Sequence, residues 1–311
     1  MQVMSGRIVV LGTGGTIAGA SAPGTGELTY RAGEVAVADL LARVPPLGKW
    51  PLQAEQVAQV DSKDMDFGIW RQLAQRCAQL LADADVRAIV ITHGTDTIEE
   101  TAFFLHRVLA TAKPVVLTCA MRPATALAPD GPQNLLDAVT VAGTVGAGGV
   151  VVVCAGTVHS ALDVRKVHPY RLDPFESGDA GPLAFVEDGR VRSVRAWPQA
   201  ASTPVALDKV LRAQEWPKVE IVWSHAGAGR LPVDALVAAG VQGLVAAGTG
   251  NGTLHHELEQ ALLDAAASGV KVQRTTRCAL GQVIPQAADH LPAHPLPPVK
   301  ARIDLLLELL A

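Results

Sequence analysis

Arg87-Ala88-Ile89-Val90-Ile91-Thr92, followed at once by His93-Gly94-Thr95-Asp96-Thr97 and a helical pattern over 98–110, is the stretch that decides the fold. The first run is apolar at nearly every position, short and rich in β-branched residues. Such a run suits a strand buried on both faces, which is the signature of a parallel sheet. Thr97 followed by Glu100 forms the T-x-x-E pattern of a capping box, so a helix is predicted to start there. Strand, tight turn and helix together make half of a βαβ unit. Working outward, similar apolar runs lie at 7–11, 114–119, 149–155, 219–224, 243–247 and 270–275, with helical patterns at 65–81, 134–142 and 254–267. The class is therefore α/β. The stretch 197–217 is rich in Pro, Ala, Ser and Thr and breaks the rhythm, so it is predicted to be an interdomain linker. On that reading, residues 1–196 form a larger N-terminal domain with a mainly parallel sheet flanked by helices. Residues 218–311 form a smaller C-terminal α/β domain.

Composition agrees with a packed enzyme-sized chain. Of 311 residues, 49% are hydrophobic and 18% charged, enough to bury a core and unlike disordered or fibrous chains. A net charge of -4 gives no general attraction to nucleic acid or an anionic membrane, leaving a small-molecule partner as the favoured kind. The opening MQVMSGRIVV has no secretory pattern, so a cytoplasmic location is expected. The most lipid-like stretch, 135–156, carries Asp137 and a glycine-rich middle and reads as helix, turn and strand, not as a membrane span. Cys77, Cys119, Cys154 and Cys278 are scattered, and the nine histidines show no ligand spacing, so neither a zinc site nor a disulfide framework is predicted. His93 reads as structural.

In open α/β sheets, ligands gather beyond the carboxyl ends of strands, so the segments after each strand are the places to look for chemistry. The first is Gly12-Thr13-Gly14-Gly15-Thr16-Ile17-Ala18-Gly19. A dinucleotide fingerprint would require glycine where Ile17 stands, and no phosphate-binding lysine follows. What remains is a hydroxyl, Thr16, on a glycine turn. The second segment sets the Thr95 hydroxyl beside the Asp96 carboxylate at a helix start, whose N–H groups suit an oxyanion. Taken alone, these two residues could equally cap the helix. The third comprises Ala120-Met121-Arg122-Pro123 and Asp130-Gly131-Pro132-Gln133-Asn134-Leu135, where Asp130 and Pro132 mark another helix start.

With T-G-G-T-I-A at 13–18, H-G-T-D-T at 93–97, A-M-R-P at 120–123, D-G-P-x-N-L at 130–135 and Gly250-Asn251-Gly252, the chain resembles the bacterial L-asparaginase family, including its periplasmic type II branch. The resemblance spans nearly the whole chain. It implies that Thr16 is the nucleophile and that Tyr30, on a flap whose hinged part is 20–26, activates it. From the residues alone, Tyr30 reads equally as a packed surface aromatic. It further implies a Thr95, Asp96 and Lys166 set, which requires Lys166 to be buried. Ser62 would hold the substrate carboxylate and Asp96 its ammonium. The Ala120 carbonyl would meet the amide nitrogen, and Asn251 would come from a partner subunit. The implied reaction hydrolyses the side-chain amide of L-asparagine through a threonine acyl-enzyme, with possible side activity on L-glutamine. It uses no metal or cofactor, in a homotetramer built from tight dimers with active sites at a dimer interface.

Two positions depart from the family pattern. Lys63 follows Ser62 where type II members commonly have glutamine, and the segment after Arg277 to Gly281 has no acid until Asp289. The type II disulfide partner is also absent. Rival readings are a glutaminase, an amidotransferase subunit, which would need RNA contacts that this charge pattern does not offer, and a non-catalytic amino-acid sensor.

Overall fold

The computed structural model describes residues 6–21, 30–199 and 207–310. It comprises two compact units, Met1–Pro204 and Val205–Ala311. In the first unit the strands begin with β1 (Arg7–Gly14), β2 (Ala20–Ser21), β3 (Tyr30–Arg31), β4 (Leu52–Val60), β5 (Val86–Thr92) and β6 (Val115–Thr118). They continue with β7 (Val150–Cys154), β8 (Thr157–Ser160), β9 (Arg165–Lys166), β10 (Phe175–Glu176), β11 (Ala184–Glu187) and β12 (Arg190–Ser193). The helices are α1 (Val37–Ala42), α2 (Phe67–Ala82), α3 (Ile98–Val108) and α4 (Gly131–Ala142).

Eight strands form one sheet in the order β12-β11-β8-β7-β6-β5-β1-β4. From β7 to β4 all neighbours are parallel, while β8, β11 and β12 close the far edge with antiparallel pairs. The inner strands β1, β5, β6 and β7 are the predicted apolar runs, because both faces are covered. Successive side chains point to opposite faces. Ile8, Val10, Ala88, Val90, Val116 and Val151 pack with Val37 and Leu40 of α1 and Leu135 and Ala138 of α4. The opposite face receives α2, which packs on β5, and α3, which packs on β7. Helix α2 buries Trp70, Leu73, Ala74, Cys77 and Leu80, a helical stripe at spacings of three and four. Burying Leu73 contributes about 2 kcal/mol. The 135–156 stretch is indeed helix, turn and strand, with α4 followed by left-handed glycines at 146 and 149 and then β7.

The sequence reading misses β4 and the antiparallel edge. LQAEQVAQV in β4 alternates partly exposed residues because this strand borders the sheet, with no strand beyond it among the described residues, so no continuous apolar run marks it. The order of strands matters for the site. The chain leaves β1 for β4 on one side, then crosses to β5 on the other, and this reversal opens a crevice at the carboxyl ends of β4, β1 and β5. The β6-α4-β7 connection moves in the same direction as those through α2 and α3 but on the opposite face, so it has the opposite, left hand.

The second unit contains α5 (Leu207–Arg212), β13 (Val219–Trp223), α6 (Leu231–Ala238), β14 (Gly243–Gly248), α7 (His256–Ala267), β15 (Lys271–Thr276) and α8 (Pro298–Leu310). Its three strands are parallel in the order β13-β14-β15. Val222, Leu244, Ala246, Leu258 and Leu262 form its core on the α6-α7 face. Helix α5, inside the stretch read as a linker, packs against α8 and buries Val210. No helix among the described residues is long and apolar enough to cross a membrane.

Candidate active site

Three loops meet at the switch point. After β1, Gly15 adopts φ 79° and ψ -176°, a region open only to glycine, and the 3-10 turn Thr16–Ala18 follows. A Cβ on Gly15 would overlap the backbone of Gly94, and one on Gly94 would overlap the side chain of Ser62. The loops after β1 and β5 therefore touch backbone to backbone, and the Ser62 side chain from the loop after β4 packs on Gly94, with Thr16 and Thr95 next to the contact. Thr13 Oγ1 donates to the Thr92 carbonyl at 2.9 Å and ties the ends of β1 and β5 together. Thr16, Thr95 and Ser62 are all buried.

Lys166 on β9 completes the second group. Its Nζ donates to Thr95 Oγ1 at 2.9 Å and to Asp96 Oδ1 at 2.5 Å. The Lys166 side chain is 18% exposed and that of Asp96 52%, so the lysine is largely sheltered while the carboxylate reaches solvent. The Ser62 hydroxyl oxygen accepts from Asp96 N at 3.2 Å, which leaves its proton to donate elsewhere. Helix α3 starts after Thr97 as predicted, but the Thr97 hydroxyl does not cap it. Thr97 Oγ1 donates to the Ser62 carbonyl at 2.7 Å and makes no cap to its own helix. The tertiary contact between loops wins over the local one.

Ala120 is clamped from both sides. Asn134 Nδ2 donates to the Cys119 carbonyl at 2.9 Å, and the Asp130 carboxylate accepts from Met121 N and Arg122 N, both at 2.9 Å. Ala120 and Ile17 both abut Gly131, so Ala120 stands beside the turn that carries Thr16. The backbone of Tyr30 pairs with Ser21. The lid segment 22–26 lies outside the described residues, as does the placement of the Tyr30 side chain.

Asn251 belongs to the second unit. Its Nδ2 donates to the Ile284 carbonyl and its Oδ1 accepts from Ile284 N, each at 2.8 Å. Asp289 is paired there with buried Arg274 and accepts from Gln286 N at 2.6 Å, so the first acid downstream of Gly281 is committed to its own unit.

Residues 7–199 match the family described as Asparaginase, N-terminal, and residues 218–311 match the Glutaminase/Asparaginase C-terminal domain. The chain belongs to the asparaginase family. It is 38% identical to L-asparaginase 2 of Escherichia coli (strain K12), over 97% of this chain and 88% of that protein. It is 37% identical to the glutaminase-asparaginase of Pseudomonas fluorescens biotype A, over 96% and 84%. The crystal structure of a probable cytoplasmic L-asparaginase from Campylobacter jejuni matches with a TM-score of 0.92 at 37% identity, covering 98% of this chain and 95% of that one.

In this asparaginase-family chain, Lys63 turns to its own loop, where it pairs with Asp64 and lies 3.7 Å from Asp61. Its charge is met locally. Sequence reasoning passed over two residues that hold the site, Glu99 and Asn134, and read two others, His93 and Asp130, only as structural and as a helix start. All lie inside or beside the quoted motifs, which was the available signal. His93 is fully buried, with Nδ1 2.8 Å from the Gly94 carbonyl and Nε2 2.9 Å from Thr101 Oγ1. A carbonyl only accepts, so Nδ1 carries the proton and Nε2 accepts from Thr101. Thr101 in turn accepts from Trp70 Nε1 at 3.0 Å.

Burial pushes the His93 imidazole down to about 4 from an ordinary 6.5. The folded state thus holds it neutral while the unfolded chain takes up a proton below pH 6.5. The stability it contributes is complete above that pH and is lost as pH falls toward 4, about 3 kcal/mol in all. Guanidinium unfolding between pH 7 and 4 is expected to show this loss, and a His93→Gln variant a flatter profile. Equal pH slopes for the two proteins would refute the assignment.

Proposed function

We propose that this chain is an L-asparagine amidohydrolase with Thr16 as its nucleophile. The observation that carries the reading is the Lys166 ammonium shared by Thr95 Oγ1 and Asp96, beside the Gly15–Gly94 contact that brings the Thr16 turn to the same place. Thr16 Oγ1 attacks the side-chain amide carbon, and its proton passes to the departing nitrogen, so that ammonia leaves and a β-aspartyl ester forms. Water then hydrolyses the ester to L-aspartate and restores the hydroxyl. Ser62 holds the α-carboxylate, Asp96 the α-ammonium, and the Ala120 carbonyl the amide nitrogen, while backbone N–H at Thr95 faces the oxyanion. Tyr30 takes the role of activating Thr16. The route draws on no cofactor.

L-Glutamine is longer by one methylene, worth about 1 to 3 kcal/mol of discrimination in a pocket of this kind. Glutamine turnover at a fraction of the asparagine rate is the expected result. Ammonia release from both amides by the purified protein tests this. Stoichiometric binding of asparagine without ammonia would favour a sensor and sink the enzyme reading.

The same reading makes the protein a homotetramer in which Asn251 serves a partner's site, here by bracing the Ile284 loop. Light scattering that gives a monomer mass at working concentration would count against it. The domains are taken as 1–196 and 218–311, joined through 197–217. A cytoplasmic location is proposed from the likeness to the Campylobacter jejuni protein and from four free thiols. Cell fractionation checks it.

A further inference from the structure

Lys166 stands on a strand of only two residues, β9, whose ladder partner is β10 through the pairs Phe175 with Lys166 and Glu176 with Arg165. This small sheet is separate from the eight-stranded one that carries Thr16, Ser62 and Thr95. A two-residue ladder is a weak support for a group that must be held within a fraction of an ångström, and the lysine stem adds four rotatable bonds.

A second support comes from α3. Glu99 Oε2 accepts from Lys166 N at 2.6 Å, a short charge-assisted bond. At its other end the same residue reaches Thr95 Oγ1 and Asp96 Oδ1 through Nζ. Segment 95–99 therefore grips Lys166 at both the backbone and the ammonium. Glu99 lies in the first turn of α3, where a carboxylate is favoured by the helix N–H groups, and α3 is anchored by fully buried Phe103 and Phe104. The carboxylate is thus a fixed point relative to Thr95.

We infer that Glu99 is a positioning residue that sets Lys166 Nζ against Thr95 by holding the Lys166 backbone amide with an acceptor oxygen of defined reach. The inference rests on the proposed role of Lys166. Glutamine keeps an acceptor oxygen at the same reach, whereas aspartate keeps the charge but falls one methylene short.

The test compares Glu99→Ala, Glu99→Gln and Glu99→Asp in the full-length protein. Glu99→Ala is expected to lower kcat for asparagine about 10- to 100-fold, since a displacement near 1 Å costs up to that much. KM should change less than kcat, because the Ser62 contact with the Asp96 backbone does not involve Lys166. Glu99→Gln should recover most of kcat, and Glu99→Asp should resemble alanine. A readout independent of turnover is the rate of Lys166 acetylation by acetic anhydride, mapped by mass spectrometry. It should rise severalfold in Ala and Asp and stay near wild type in Gln.

Wild-type kcat and labelling in Glu99→Ala would overturn the inference, and so would a Gln variant as impaired as Ala. If the alanine variant does not fold, the Gln and Asp pair decides by the same criteria. If the wild type releases no ammonia, the proposed function fails while the labelling pattern still tests Glu99.

Discussion

Thr16→Ala is expected to lower kcat for ammonia release from L-asparagine by about 10⁶-fold, the scale seen when a nucleophile that works with its neighbours is removed. Asparagine binding should persist in calorimetry, because the two groups proposed to hold its ends, Ser62 and Asp96, are anchored to each other. The fold should also persist. The turn that carries Thr16 is shaped by Gly15, and deleting a buried hydroxyl and methyl costs on the order of 1 kcal/mol. Thr16→Ser, which keeps the oxygen, should retain turnover within about tenfold. The experiment separates two hydroxyls as well as two functions. Wild-type release by Thr16→Ala, together with loss in Thr95→Val, would assign the nucleophile to Thr95 instead.

The second large effect is expected from Gly15→Ala. At φ 79° and ψ -176° a side chain is strained whatever the space, and here the added carbon also meets the Gly94 backbone. Strain in that region costs about 1 to 3 kcal/mol, and forced overpacking adds about as much again. A loss of about 3 to 5 kcal/mol in chemical denaturation is expected, with activity abolished as the Thr16 turn is pushed from Thr95. Gly48→Ala is the control. Nothing lies near a Cβ there, so the change should be within about 0.5 kcal/mol. Comparable stability for the two variants would show that the loops after β1 and β5 do not depend on their close approach.

The legibility of this protein in its sequence was uneven for definite reasons. Every strand of the buried parallel ladder apart from β4 appeared as an apolar run, since burial on both faces leaves no polar positions. The edge strand β4 was invisible because half of it meets solvent, and Ser62, just beyond its end, was found only through the family motif. The Thr97 reading shows the opposite limit. The local pattern put the helix start in the right place but assigned its hydroxyl to the wrong partner, because the nearest acceptor, the Ser62 carbonyl, is 35 residues away in the chain.

By itself, the sequence determined the α/β class and the placement of hydroxyl-bearing glycine turns at strand ends. These features are local: apolar runs specify buried strands, and glycine is needed wherever the chain turns sharply with no room for a side chain. Only the tertiary structure decided which turns meet. Strand order is set by long-range pairing, and it put β1 between β4 and β5 so that Ser62, Thr16 and Thr95 converge. It also brought Lys166 to Thr95 across 71 residues and turned Lys63 onto its acidic neighbours. It gave Glu99 a backbone to hold and engaged the Asn251 amide with Ile284. No short window of sequence carries those contacts, because each depends on how separate elements pack.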